Sequence, residues 1–412
     1  MCGIVGLFDI QGPGIISRDD LDAMNTRQYH RGPDAGELHL EAGLGFGHRR
    51  LSIIDISSGQ QPLFNEDETV VVTYNGEIYN FVELMDELKA LGHIFKTRCD
   101  TEVIVHAWEE WGKECVKRFR GMFAFAVWDR NQQCLFLARD RLGIKPLFYS
   151  LIDQKLFAFA SELKALKMLS GLSRSLDPTA IDDYFSLGYI PEPKTIFKNV
   201  FKLGPGQTLL FKRGAEKPVI ETYWHLDQQQ NPTFSEADAA EELTSRIREA
   251  VDIRMVAEVP LGAFLSGGVD SGAVVSQMAG LSDKPVNTCS IGFDVQRFDE
   301  TQYASMVAQR YQTNHSEEHV ASDDFSLIEI LPSLYDEPYA DSSAIPTFRV
   351  CELAKKRVTV ALSGDGGDEH LAGYRRYCWH MNEERLRSAL PLSLRRGMAL
   401  RCCGNKYSSI YI

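Results

Sequence analysis

The sequence predicts a two-domain chain, an antiparallel α+β half followed by a parallel α/β half, and three observations carry that expectation. At 412 residues the chain exceeds what one compact core accommodates. Its first half is dense in short apolar runs ended by turn residues, at 4–8, 45–54, 69–74, 123–129, 135–139 and 156–161, as in stacked antiparallel sheets. Later, helical stretches alternate with apolar strands at 261–265, 286–291 and 358–362, the pattern of a parallel sheet.

Two helices interrupt the early strands. Phe81, Leu84, Met85, Leu88 and Leu91 share one helical face, and 101–111 continues in the same style; such stripes pack against a core. Residues 212–235 decay into Arg-Gly, Lys-Pro, three glutamines and Asn-Pro, which reads as a linker. Ser235 then caps a helix with acids in its first turn. The expected boundaries are therefore 2–213, a linker at 214–235, and 236–412.

Composition excludes several functions. A net charge of −13 argues against nucleic acid or an anionic membrane, because phosphate recognition needs clustered Lys and Arg. No apolar run reaches the ~20 residues that span a bilayer, and the N-terminus lacks the basic region of a signal peptide. The nine cysteines include no Cys-x-x-Cys. Cys134, Cys289 and Cys351 sit in mixed apolar stretches, as buried thiols of a reducing compartment do. A cytoplasmic location is expected.

Cys2 differs from the rest. Once Met1 is removed, its α-amine, with an ordinary pKa near ~8, becomes a base beside its own thiol. Three further segments join it: His30-Arg-Gly-Pro-Asp34, Gly47-His-Arg-Arg-Leu-Ser-Ile53 and Asn75-Gly-Glu-Ile-Tyr-Asn80. In order and spacing the set resembles the class II glutamine amidotransferases. The resemblance implies an N-terminal nucleophile αββα sandwich in which Cys2 attacks the glutamine amide through a thioester. Asn75 and the Gly76 N–H would hold the oxyanion. Glycine at 76 is expected because a Cβ would obstruct the substrate. Arg50 would take glutamine's carboxylate and Glu77 with Asp100 its ammonium, while Leu51 and Ile53 would line the pocket through main-chain contacts.

In the second half a short apolar strand runs into Ser266-Gly267-Gly268-Val269-Asp270-Ser271 and then a helix over 272–278. A Gly-rich turn between strand and helix presents backbone N–H groups to pyrophosphate. It lacks the Gly-Lys-Ser/Thr of a Walker loop. Farther on, Ser363-Gly364-Asp365-Gly-Gly-Asp368-Glu369 crowds three acids after another strand, which suits a cation such as Mg²⁺. These segments resemble ATP pyrophosphatases of the asparagine synthetase family, with an adenine nucleotide alpha hydrolase-like α/β domain. By that resemblance Asp270 and Asp368 would hold Mg-pyrophosphate, and Ser266, Gly267, Gly268, Ser271, Ser363 and Gly364 would contact ATP. Leu265 and Ile291 would lie along the nucleotide, and Asp365 would serve the acyl-adenylate step. Asp336-Glu-Pro338 and 341–347 also resemble this family's synthetase domain.

His315-Ser-Glu-Glu-His319 fits an inverted zinc-peptidase pattern, but that chemistry needs a helix, and the flanking residues predict a strand. The family resemblance runs from residue 2 to about Tyr377. His370-Leu371 departs from its usual aromatic form, and 378–412 matches nothing of its C-terminal segment, so the second domain is expected to be C-terminally incomplete. The whole implies glutamine-dependent formation of asparagine from aspartate, with ATP and Mg²⁺, a β-aspartyl-AMP intermediate and internal ammonia transfer, in a possible homodimer. Amidation of another carboxylate, or a glutaminase-only or ATP-binding regulatory protein, are the alternatives.

Overall fold

The computed structural model describes residues 1–227, 235–296, 299–320, 327–391 and Arg395. Twelve strands build the first domain: β1 (Gly3–Asp9), β2 (Ala35–Glu41), β3 (Leu44–Arg50), β4 (Leu63–Phe64), β5 (Val70–Ile78), β6 (Gly121–Asp129), β7 (Cys134–Arg139), β8 (Phe148–Ile152), β9 (Leu156–Ala160), β10 (Val200–Lys202), β11 (Gln207–Lys212) and β12 (Val219–Thr222). They form two six-stranded sheets, ordered β10-β8-β9-β1-β3-β2 and β12-β11-β7-β6-β5-β4. Between the sheets lies an aromatic-rich core that includes Phe8, Phe46, Trp128, Phe159 and Phe211. A helix at Arg18–Thr26 covers the first sheet, and helices at Phe81–Ala90 and Asp100–Trp111 cover the second. This is the αββα sandwich.

Three boundaries move from expectation. β3 stops at Arg50, not 54, because the Arg50 guanidinium curls the following loop onto itself through the carbonyls of Ile54, Asp55 and Ile56. β5 continues through Asn75-Gly76, which local chemistry favours as a turn, because β6 pairs with it as far as Ile78. β12 pairs with β11, so the first domain's sheet extends into the segment 214–235; residues 228–234 of that segment lie outside those described. Cys134 and Cys289 are buried as expected, whereas Cys351 is exposed, since its helix buries Leu353 and Ala354 instead.

The second domain has four parallel strands, β13 (Leu261–Phe264), β14 (Asn287–Phe293), β15 (Asn314–Val320) and β16 (Val360–Leu362), ordered β15-β14-β13-β16. Helices Glu236–Asp252, Val269–Leu281 and Thr301–Tyr311 bury one face of this sheet, and Ala344–Lys355 packs against Cys289 and Val358 on the other. The central strand β13 has β14 on one side and β16 on the other. Open α/β sheets bind ligands beyond the carboxyl ends of strands at such a switch point.

The two sheets of the first domain are joined behind the site by His48. Its ring Nε2–H donates to the carbonyl of Tyr74, at 3.0 Å. Burial pushes this imidazole down to about 3, and the neighbouring Arg50 adds to the shift. The unfolded ring titrates near ~6.5, so the unfolded chain binds the extra proton and stability falls as pH drops from ~6.5 towards 3. His48→Asn is expected to lose ~1–3 kcal/mol at neutral pH. Urea titrations should also show the acid slope reduced by up to one proton; an unchanged slope would clear His48 of any part in acid sensitivity.

Candidate active sites

Cys2 immediately precedes the central strand β1. Its carbonyl accepts from Arg31 Nε at 2.8 Å, and Arg31 is anchored in turn on Glu162. Gly32 is required because a Cβ there would strike the backbone of Arg49, and Asp34 accepts from Ser52 N–H at 2.8 Å. The segment His30–Asp34 thus positions the nucleophile and the loop facing it. Leu51 N–H points at the Cys2 sulfur, at 3.4 Å.

A cavity of about 500 Å³ opens on Cys2 and brings together Arg50, Leu51, Ile53, Asn75, Gly76, Glu77 and Asp100. Every residue that the resemblance assigned to glutamine lines it. Asn75 is buried, and its amide Nδ2 has no hydrogen-bond partner. A desolvated donor of that kind is costly unless something completes it, and a developing oxyanion would. Gly76 is needed for a reason the sequence did not suggest. A Cβ would meet the carbonyl of Met122 and approach Phe123 Cα to 2.7 Å, so the constraint comes from β6 rather than from substrate. Ile53 lines the cavity, but its carbonyl accepts from Glu258 N–H of the second domain.

Charge in the cavity is arranged in opposition. Arg50 is buried and donates to three neutral carbonyls, with the Asp55 carboxylate acting on its charge only through space; a ligand carboxylate could pair with it directly. Burial raises the proton affinity of both Glu77 and Asp100, and mutual repulsion raises Glu77 further. Asp100 is fixed by Tyr74 Oη–H at 2.7 Å and Ile78 N–H at 2.9 Å. An ammonium between the two acids would relieve that repulsion.

Lys145 escaped the sequence reading. It is buried at the same cavity, and burial, with Arg31 nearby, pushes its ammonium down to about 8 while Glu77 and Cys2 pull upwards. The signal was a lysine inside Asp140-Arg-Leu-Gly-Ile-Lys145, a loop whose Asp140 carboxylate accepts main-chain N–H from Phe123, Leu142, Ile144 and Lys145.

A second cavity, about 790 Å³, lies beyond the carboxyl ends of β13, β14 and β16. It is lined by Leu265, Ser266, Gly268, Asp270, Ser271, Ile291, Ser363, Gly364, Asp365 and Asp368. Of the expected nucleotide residues, Gly267 does not line it. Gly267 sits at φ +84°, where a Cβ would come within 2.7 Å of Ala304 N, so it shapes the turn against the next helix. The helix that directly follows this loop starts at Val269, earlier than expected, with Gly268 as its cap. Ser271 Oγ bridges to Ser266 Oγ at 3.0 Å and to Gly268 O at 3.2 Å. The loop after β16 packs against it, since a Cβ on Gly364 would lie 2.6 Å from Ser271 N.

The donor set suits Mg²⁺ in part. Asp270 and Asp368 face one cavity, and Mg²⁺ is commonly held by one or two carboxylates with phosphate oxygens completing its shell. Glu369 lines the same cavity, where its carboxylate accepts from Tyr374 Oη–H at 2.7 Å. His315 lies on the strand β15, where its nitrogens meet Thr288 and Ser290 hydroxyls at 2.9 and 3.2 Å; this is not the helical zinc arrangement. Asp336 and Glu337 lie apart from both cavities and clasp the domains, through Lys164 at 3.5 Å and Lys202 at 2.6 Å.

Residues 1–224 match the glutamine amidotransferase domain family, and residues 242–409 match the asparagine synthase family. The second match passes Tyr377, so the likeness reaches farther than the motifs alone suggested. The chain is 38% identical over 409 residues to a putative glutamine-hydrolysing asparagine synthetase 2 of Methanocaldococcus jannaschii, covering 94% of this chain and 77% of that one. It is 38% identical over 384 residues to asparagine synthetase 1 of Bacillus subtilis, covering 92% of this chain and 59% of that one. Among solved structures it is similar to a glutamine phosphoribosylpyrophosphate amidotransferase from B. subtilis, at 15% identity and a TM-score of 0.40 over 68% of this chain and 64% of that one, too remote to carry an argument. The two family matches and the relatives agree with the paired cavities: this chain belongs to the glutamine-hydrolysing asparagine synthetase family.

Proposed function

We propose that the chain hydrolyses glutamine at Cys2 and passes the ammonia to a carboxylate activated by ATP, with aspartate as acceptor and asparagine, AMP and pyrophosphate as products. The observation that carries this reading is the shared wall between the cavities. Ser363 and Asp365 line both the cavity at Cys2 and the one at the Ser266–Ser271 loop, so the two cavities adjoin, and in this reading ammonia passes across that wall rather than through bulk water. Confinement matters chemically, because only unprotonated ammonia attacks an acyl-adenylate.

The residues have distinct tasks in this reading. Arg50 binds the glutamine carboxylate, and Glu77 with Asp100 binds its ammonium. Cys2 Sγ attacks the amide carbon, and Asn75 Nδ2–H with Gly76 N–H stabilises the oxyanion. Burial raises the Cys2 thiol, so a local base must take its proton. The same burial holds the Met1 amine down at about 6; a Cys2 amine freed beside it would feel burial in the same direction, which favours the neutral form that accepts the proton. Ser363, Gly364 and the Ser266–Ser271 loop bind the nucleotide, and Asp270 with Asp368 would hold Mg²⁺, which neutralises the pyrophosphate leaving group. The negative net charge and the absence, among the described residues, of a helix able to cross a membrane support a cytoplasmic enzyme of small substrates; a homodimer is the oligomer expected from the resemblance.

Four measurements test this. With amide-¹⁵N glutamine, aspartate, ATP and Mg²⁺, mass spectrometry should find labelled asparagine that disappears in Cys2→Ala. Label in the amide of another acid would change the acceptor, and glutamate without any labelled amide would confine the activity to the first domain. Asn75→Ala should lower glutaminase kcat by ~10²–10³ with little change in KM; an equal rise in KM would make Asn75 a ground-state contact. Gly59→Ala places a Cβ 2.6 Å from Arg50 Nη2, so KM for glutamine should rise roughly tenfold while kcat holds. The base must be deprotonated to act, so activity is lost as pH falls through its pKa. The acid limb of glutaminase kcat/KM should therefore centre below the ~8 of a free amine, the direction in which burial moves the terminal amine beside Cys2.

A further inference from the structure

A cluster separate from both cavities gathers Glu66, His93, His106 and Glu109, each offering one ligand atom, with all four atoms within 4.8 Å of one another. Glu66 lies between β4 and β5, His93 follows the helix Phe81–Ala90, and His106 and Glu109 occupy one face of the helix Asp100–Trp111. His106 is fully buried. Its Nδ1 lies 3.2 Å from Glu66 Oε2 and 3.3 Å from Glu109 Oε2, yet neither of its ring nitrogens, nor Glu66 Oε2, is in hydrogen-bond alignment with a partner. His93 Nδ1 stands 4.0 Å from Glu66 Oε1 and 3.9 Å from Glu109 Oε2.

Atoms that are close but not aligned with each other are what a coordination polyhedron produces, because every lone pair is aimed at a common centre. A tetrahedral ion with bonds of about 2.0–2.1 Å has ligand–ligand edges of about 3.3–3.4 Å. The His106 edges already fall near that value, and the His93 edges would close with a small loop movement.

The surroundings fit as well. His106 Nε2 faces Glu102 at 3.7 Å, and Glu102 is itself held by Lys96 N–H, Thr97 N–H and the Thr97 hydroxyl. His93 Nε2 faces Glu110 at 3.5 Å. Asn65 Nδ2–H donates to Glu109 Oε1 at 2.7 Å, leaving Oε2 turned inward. Carboxylates behind ligating histidines and fixed carboxylate ligands are the supports that metal sites require. Two imidazoles with two carboxylates suit zinc better than Mg²⁺ or Ca²⁺, which take oxygen alone.

We propose that Glu66, His93, His106 and Glu109 bind one divalent ion of the zinc class, which ties the helix Asp100–Trp111 to the two loops beside it. The role is structural. All four ligands are protein side chains, and the ion braces the helix whose first residues, Asp100 and Thr101, line the cavity at Cys2.

The test uses the full chain, stripped with chelator and re-equilibrated with Zn²⁺ alone. About one zinc per chain is expected by atomic emission, with an increase in Tm. His93→Asn, at the partly exposed ligand, and Glu109→Gln should each weaken zinc binding at least tenfold while keeping Cys2 glutaminase activity, which shows that they fold. Cobalt substitution should give visible bands of a four-coordinate nitrogen–oxygen site. Zinc content unchanged in both variants, a sulfur-to-cobalt charge-transfer band, or no zinc above the stripped background would each overturn the assignment.

Discussion

The placement of Arg50 governs the rest of the glutaminase half. Its guanidinium is buried on the carbonyls of Ile54, Asp55 and Ile56, and that contact does two things together. It bends the chain out of β3, carrying Leu51 and Ile53 over the Cys2 sulfur. It also leaves a buried positive charge whose hydrogen bonds go to neutral carbonyls, with the Asp55 carboxylate acting on it only through space. A buried charge so held is unfavourable in isolation and becomes favourable when an anion arrives. Substrate binding therefore completes an arrangement that the fold has already positioned.

The same loop is where the domains meet. Glu258 accepts from Asp55 N–H at 3.3 Å and Ile56 N–H at 3.4 Å, while its own N–H donates to Ile53 O at 3.0 Å. One short segment is thus braced from inside by Arg50 and from outside by the second domain. The clasp of Asp336 and Glu337 onto Lys164 and Lys202 fixes a second point of contact. Two points resist rotation where one would not, and the wall shared through Ser363 and Asp365 depends on that fixed register. The Cys2 cavity includes Thr359, Val360 and Ala361, so the second domain supplies part of its wall.

Much of this was legible in the residues. Alternating apolar runs identified both sheets, and the parallel second sheet followed from its helices. The motifs around Cys2, Arg50, Asn75 and Asp100 named side chains that share one cavity, because each motif is local and carries its own chemistry. What was missed required neighbours distant in sequence. β5 runs through Asn75-Gly76 only because β6 is paired there, and Gly76 answers to Met122 and Phe123 rather than to substrate. Lys145 looked like any lysine until burial beside Cys2 distinguished it. His93 and His106 are thirteen positions apart with no metal-ligand spacing, and only the turn after the helix Phe81–Ala90 brings them together.

The glycines of the second domain hold together the two loops that line the second cavity. The loops after β13 and β16 approach so closely that a Cβ on Gly364 would meet the main chain at Ser271, and one on Gly367 would strike the Asp270 carboxylate. Asp270 is thereby pressed against the backbone of the segment that carries Asp368, so the two acids approach through their loops before any cation binds. The contact of Gly364 is with the main chain of Asp270 and Ser271, so at that point no rotamer change can relieve it. A substitution at Gly364 would displace the main chain of Asp270 and Ser271, and one at Gly367 the Asp270 carboxylate, so under the proposed reading either would disturb the nucleotide site.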